Sequence, residues 1–126
     1  MGFEAAIEDH KIVMDLDEER GGDNKGPRPK PLMLASLGGC TGVDVISILK
    51  KMKIEPEYFN MHIVGVQADE IPKEYIKIEI IYEFKGDNLP LEKLRQAIEL
   101  SQDKYCGVSV VYKKTIDISY EIRILE

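Results

Sequence analysis

The chain has 126 residues and a mass of 14.3 kDa, which allows one hydrophobic core of ordinary size and leaves no room for a second. A composition of 44% hydrophobic and 32% charged residues excludes disorder, and the formal charge of −6 repels phosphate backbones and anionic lipid surfaces. Neither nucleic acid nor a membrane is therefore an expected partner. Two cysteines and two histidines are the only soft ligands. Cys40 and Cys106 are too widely spaced for a CxxC motif, and a four-ligand zinc site would need both of them together with His10 and His62, so no metal and no cofactor are expected.

The segment MGFEAAIEDHK is acidic where a secretory signal would need a basic stretch before an apolar run, which reads as a cytoplasmic protein with thiols reduced at rest. Phe3 to Ile7 is half apolar, and Ile12, Met14 and Leu16 alternate with Lys11, Asp15 and Asp17, so residues 1–16 form a hairpin turning near Asp9-His10. Residues 17–31 contain Pro27, Pro29 and Pro31, Gly21, Gly22 and Gly26, and many charges. They form a long loop, of the kind that carries function or wraps a partner.

From Leu32 to Leu49 the only charge is Asp44, and the segment LMLASLGGCTGVDVISIL is apolar on every side of a helical wheel. A helix over residues 32–53 follows, with Lys50, Lys51 and Lys53 at its carboxyl end to oppose the dipole. About 18 apolar residues is the lower limit for crossing a bilayer, but Asp44, three glycines and two serines weaken insertion. The preferred account is a central helix covered by a sheet on one side and by a second subunit on the other. Gly38, Gly39 and Gly42 each cost roughly 0.5–1 kcal/mol of helix stability against Ala, with close backbone approach as the return.

Residues 57–126 read as strand, strand, helix, strand. Met61 and Ile63 alternate with Asn60 and His62. Ile76, Ile78, Ile80, Tyr82 and Phe84 then alternate with charged partners, after a hairpin connection around Pro72. The stretch LEKLRQAIELSQDKY lines up Leu91, Leu94, Ile98, Ser101 and Tyr105 at helical spacing, and Cys106 to Val111 is a short helical turn or a strand. Ile116, Ile118, Tyr120, Ile122 and Ile124 form the clearest alternating strand. The sum is a single α+β domain whose sheet has one charged, solvated face. His62 falls on the polar face of its strand and His10 near the hairpin turn, and both read as solvated side chains.

The segment PKPLMLASLGGCTGVDVISILKKM and the later IELSQDKYCGVSVVYK resemble the OsmC-like family of small thiol peroxidases, in its short branch, from about Pro27 to the end of the chain. That resemblance implies an antiparallel sheet wrapped on a long central helix, a second amphipathic helix and an intertwined homodimer. It also implies reduction of organic hydroperoxides, with Cys40 as the attacking thiol, Cys106 as the resolving thiol and an external thiol as reductant. Members of the family usually carry an acidic residue nine positions before the first Cys, paired with an Arg facing the thiolate. Here that position is Pro31. By spacing, the Arg corresponds to Arg20 rather than Arg28, and Glu18 or Glu19 are the nearest substitutes for the missing acid.

A thiolate, not a thiol, attacks the O–O bond, and a free Cys with a pKa of about 8.5 is only about 3% ionised at neutral pH. Lowering such a pKa by two units raises the thiolate fraction roughly 25-fold, worth about 2 kcal/mol. Cys40 stands about nine residues into its helix, beyond the reach of the amino-terminal dipole, and Asp44 one turn later opposes a thiolate. The positive field is therefore expected from Arg20 or Arg28 in the loop, in the same chain or in the partner. A non-catalytic redox-sensing or ligand-binding protein is the alternative reading.

Overall fold

The computed structural model describes residues 1–126, which divide into two compact units, Met1–Ala35 and Ser36–Glu126. In the first unit, β1 (Phe3–Ile7) pairs antiparallel with β2 (His10–Met14), from Phe3 opposite Met14 to Ile7 opposite His10. The turn is Glu8-Asp9, with Glu8 in the left-handed region, one residue earlier than the sequence suggests. The following loop is irregular apart from one 3-10 turn at Glu18–Arg20, capped by the Asp17 carboxylate. It is organised around Asp15, a buried residue whose carboxylate accepts from the backbone N–H groups of Leu16, Asp23 and Lys25. Desolvation pushes the Asp15 pKa up, but these donors outweigh it and hold the carboxyl below its ordinary value.

The long helix α1 (Leu32–Lys51) ends on a Schellman motif: Lys53 adopts φ 62°, its N–H donates to Lys50 O, and Ile54 N–H donates to Leu49 O. By length and composition α1 could cross a membrane. Leu37, Gly38, Thr41, Gly42, Val45 and Leu49 are nonetheless buried along one face. The glycine expectation divides accordingly. A Cβ on Gly38 would stand 3.1 Å from Ile63 Cγ1 and one on Gly42 would stand 2.5 Å from the Met61 methyl, whereas one on Gly39 would meet nothing within 4 Å. Gly38 and Gly42, four residues apart, let α1 settle onto the strand carrying Phe59, Met61 and Ile63. Gly39, Val43 and Ile46 form the opposite face, which a single chain leaves open, with Val43 71% exposed.

That strand is β3 (Tyr58–Gln67), at one edge of a three-stranded sheet ordered β3-β4-β5, with β4 spanning Tyr75–Lys85 and β5 spanning Asp117–Ile124. β3 and β4 pair antiparallel, but β5 lies parallel to β4, so the sheet is mixed where a wholly antiparallel one was expected. The reason is the connection: a largely helical segment, residues 86–116, joins β4 to β5 and returns the chain to the sheet in the same direction. A register shift at Val66/Gln67 corrects a second expectation. It places Tyr75 inward and leaves Ile76 exposed, while Ile78, Ile80, Tyr82 and Phe84 are fully buried. On the outer face Glu83 sits between His62 and Arg123, 3.1 and 3.5 Å away.

α2 (Leu91–Leu100) buries Leu94, Ala97 and Ile98, then widens into a π-helical turn at Ser101–Tyr105. Tyr120 of β5 donates to Glu99 at 2.8 Å, which sets α2 over that edge of the sheet. The wider turn changes the inward stripe: Ser101 and Gln102 are buried, and Tyr105, expected on that stripe, is exposed. Leu91, at the other end of the stripe, is also exposed. α3 (Gly107–Tyr112) resolves the open choice after Cys106 in favour of a helical turn.

Candidate functional site

With α1 over β3 and α2 over β5, the central strand β4 lies beneath the gap between the helices, and Tyr82 rises into it. Its hydroxyl is 2.8 Å from Thr41 Oγ1 on α1 and accepts from Gln102 Nε2 at 3.0 Å on the π turn. Thr41 Oγ1 is also 2.8 Å from Ser101 Oγ, and Ser101 Oγ donates to Asp44 Oδ2 at 3.1 Å. Five polar side chains on three elements thus satisfy one another, Thr41, Tyr82, Ser101 and Gln102 inside the core and Asp44 at its half-buried edge. Burial is the main cause that pushes the Tyr82 phenol up, above its ordinary value.

The two cysteines flank this network. Cys40 precedes Thr41 on α1, nine residues into the helix as the sequence implies, and is partly exposed. Cys106 closes the π turn, its N–H donating to Ser101 O at 2.7 Å, and is fully buried. Its backbone then turns extended, and its sulfur caps α3 by accepting from Ser109 N–H at 3.3 Å. Although 66 positions separate them, the two sulfurs and a carboxylate oxygen of Asp44 all lie within 4.8 Å of one another. Both thiols are free. Burial first, then its hydrogen bond with Cys40, pushes the Cys106 thiol up to about 11, against the weaker pull of the Ser109 and Val108 N–H groups. Cys106 therefore keeps its proton, in a hydrogen bond with the sulfur of Cys40.

Beside Asp44 runs a groove of about 370 Å³ lined by Ser47, Ile48, Lys51, Leu100 and Tyr105 as well as Asp44 itself. The Ser109 hydroxyl is buried without a hydrogen-bond partner. Arg20 and Arg28 both belong to the first unit. The Arg28 guanidinium donates to the carbonyls of Asp15 and Gly26, each at 3.0 Å, and to Asn24 Oδ1. Arg20 is exposed, with Nε 3.9 Å from Asp17 Oδ1. His62 is engaged on the outer face of the sheet.

The Thr41–Tyr82–Gln102–Ser101 network escaped the sequence reading, in which Thr41 lay inside an apolar run. Ser101 was the available signal: a hydroxyl on the buried stripe of an amphipathic helix needs a partner.

Fold and site together define an α+β protein built around a pair of reduced thiols on separate helical elements. Comparison with known proteins narrows that class. The profile of the family described as OsmC-like protein matches residues 22–121, and the chain belongs to the OsmC-like family. It is 31% identical over 115 residues to Protein YhfA of Escherichia coli K12, covering 90% of this chain and 83% of that protein. Among solved structures, a hypothetical protein from Aquifex aeolicus is 31% identical with a TM-score of 0.78, over 100% of this chain and 97% of the other. An OsmC-like protein from Mycoplasma pneumoniae shares the fold at 14% identity, with a TM-score of 0.82 over 99% of this chain and 89% of the other.

Proposed function

We propose that the protein is a thiol-dependent peroxidase that reduces organic hydroperoxides, with Cys40 as the attacking thiol and Cys106 as the resolving thiol. The observation that carries this reading is the meeting of the two sulfurs, one partly exposed and one buried and protonated. Fold relatives from Elizabethkingia anophelis and Legionella pneumophila, described as organic hydroperoxide resistance proteins, support the same chemistry.

In the reaction, the Cys40 thiolate attacks the terminal oxygen of the hydroperoxide. The O–O bond breaks, the alcohol leaves with a proton, and Cys40 becomes a sulfenic acid. Cys106 then displaces water from that sulfur to form a disulfide, its thiol proton going to the leaving hydroxide. A low-molecular or protein thiol pair from the reducing cytoplasm restores both thiols by exchange. The groove beside Asp44, apolar at Ile48 and Leu100 and basic at Lys51, suits the organic part of the substrate.

The cation that stabilises the thiolate and the leaving oxygen is assigned to the 17–31 loop of this chain or of a partner in a homodimer. Arg20 ranks ahead of Arg28, because Arg28 is committed to three acceptors within its own loop, whereas Arg20 has only a long, exposed ion pair. The test is consumption of an alkyl hydroperoxide with a dithiol reductant. Wild type turns over, and Cys40→Ser falls to the uncatalysed rate. Cys106→Ser loses turnover after one equivalent, and Arg20→Ala slows the reaction at least tenfold. Full turnover by Cys40→Ser defeats the reading.

A further inference from the structure

The same cluster presents a feature that peroxide chemistry does not use. Asp44 places a carboxylate oxygen within 4.8 Å of both sulfurs, and Ser101 Oγ holds that carboxylate by a hydrogen bond at 3.1 Å. The attack on a hydroperoxide described above gives this carboxylate no role. Beside a cation it becomes a ligand.

We propose that Cys40 Sγ, Cys106 Sγ and the Asp44 carboxylate form a binding site for one thiophilic divalent ion, Zn²⁺ above all. Two soft sulfurs and one hard oxygen suit a borderline ion without geometric preference. Zn–S bonds of about 2.3 Å at a tetrahedral angle place two sulfurs about 3.8 Å apart. The observed separations lie within 4.8 Å, so rotation of side chains brings the three atoms to bonding distance with the helices in place. Ser101 orients the carboxylate as hydrogen bonds to metal ligands generally do. Cys106 is buried, so the ion enters past Cys40 and Asp44, and a water completes the tetrahedron on that side. The metal takes both sulfurs as thiolates, and any S–H bond still present breaks with its proton going to solvent. Two metal–sulfur bonds and one metal–oxygen bond form as aqua ligands leave, and no atom changes oxidation state. Four ligands from the cysteines and histidines were discounted on the sequence; the third ligand is instead a carboxylate one helical turn after Cys40.

A metal bound to the sulfur draws electron density from it and lowers its nucleophilicity toward a hydroperoxide, so occupancy slows the thiol pair and shields it from oxidation. That corollary rests on the proposed peroxidase activity; the binding site does not.

Full-length protein, reduced with a phosphine and freed of thiols, is titrated with Co²⁺ and then Zn²⁺. One equivalent of Co²⁺ should give a thiolate-to-metal charge-transfer band in the near ultraviolet and tetrahedral bands in the visible, all removed by one equivalent of Zn²⁺. Cys40→Ser and Cys106→Ser should each lower the charge-transfer intensity by about half, and Asp44→Asn, which retains both thiols, should weaken the affinity at least tenfold. Absence of stoichiometric Co²⁺ bands in the wild type, or equal affinity in Asp44→Asn, overturns the site. Hydroperoxide consumption by the Zn²⁺-loaded protein, expected to fall at least tenfold, is read separately. A protein that binds the metal but never consumes hydroperoxide refutes the peroxidase and leaves the site standing.

Discussion

Thr41→Val replaces a buried hydroxyl with a methyl of nearly the same size, in a network whose remaining members are known. The change removes the 2.8 Å contacts to Tyr82 and Ser101. Ser101 spends its proton on Asp44, so Thr41 donates to Ser101 and Tyr82 donates to Thr41. The change leaves Ser101 on Asp44 at 3.1 Å and Tyr82 accepting from Gln102, but the Tyr82 hydroxyl loses the acceptor for its own proton. With net hydrogen bonds worth about 1 kcal/mol each, the buried methyl returning under about 1 kcal/mol and the unpaired Tyr82 hydroxyl costing about 1 kcal/mol more, the expected loss is about 2–3 kcal/mol. Tyr82→Phe likewise removes two bonds and leaves the buried Gln102 amide without that acceptor, so its loss is also about 2–3 kcal/mol. For a chain of 126 residues, 1 kcal/mol corresponds to roughly 4 °C in Tm. Thermal or urea unfolding of the reduced protein should therefore show the two variants lowered by similar amounts, since each strands one buried donor. Because both variants delete the same bond, the double variant should fall short of the sum by about 1 kcal/mol. Additivity within about 0.3 kcal/mol would refute the shared bond and the arrangement of helices over β4 that produces it.

Three further outcomes follow from the same geometry. The Cys106 thiol, pushed from 9.0 to about 11, and the raised Tyr82 phenol are neutral in the fold, so the stability they contribute is complete below about pH 9 and is lost as pH rises toward 11. Urea midpoints measured from pH 8 to 11 should decline above 9, and less steeply in Cys106→Ser. Gly38→Val drives a branched side chain into Ile63, already 3.1 Å from where its Cβ would lie, and should cost about 1–3 kcal/mol in urea unfolding. Sedimentation should show a dimer at micromolar concentration, converted to monomer by Val43→Asp on the open face of α1; a stable wild-type monomer would remove the partner subunit from the account.

Much of the second unit can be read from local pattern. Ile78, Ile80, Tyr82 and Phe84 alternate as an inward strand face must, and Leu94 and Ile98 keep helical spacing. The pattern fails at Ile76 and Tyr105 for one kind of reason. A register shift opposite Val66/Gln67 and a π turn at Ser101–Tyr105 each change the count of residues per repeat, and neither has a strong local signature. Parallel pairing of β5 is likewise a property of the connection, invisible in an alternation that suits either direction. Motif resemblance singled out Cys40 and Cys106. Their approach, and the third group beside them, required the fold: Asp44 joins the site only because α2 ends in a turn that carries Ser101 and Cys106 back toward α1.

The central claim, that Cys40 reacts and Cys106 resolves, is tested most directly by a single turnover. Reduced, metal-free protein receives one equivalent of an alkyl hydroperoxide, and thiol titration and peptide mass spectrometry follow within seconds. The account predicts loss of both thiols and one intramolecular Cys40–Cys106 disulfide in the wild type, a trappable sulfenic acid on Cys40 in Cys106→Ser, and no reaction in Cys40→Ser. Oxidation that begins at Cys106, or thiols that remain intact, would contradict it.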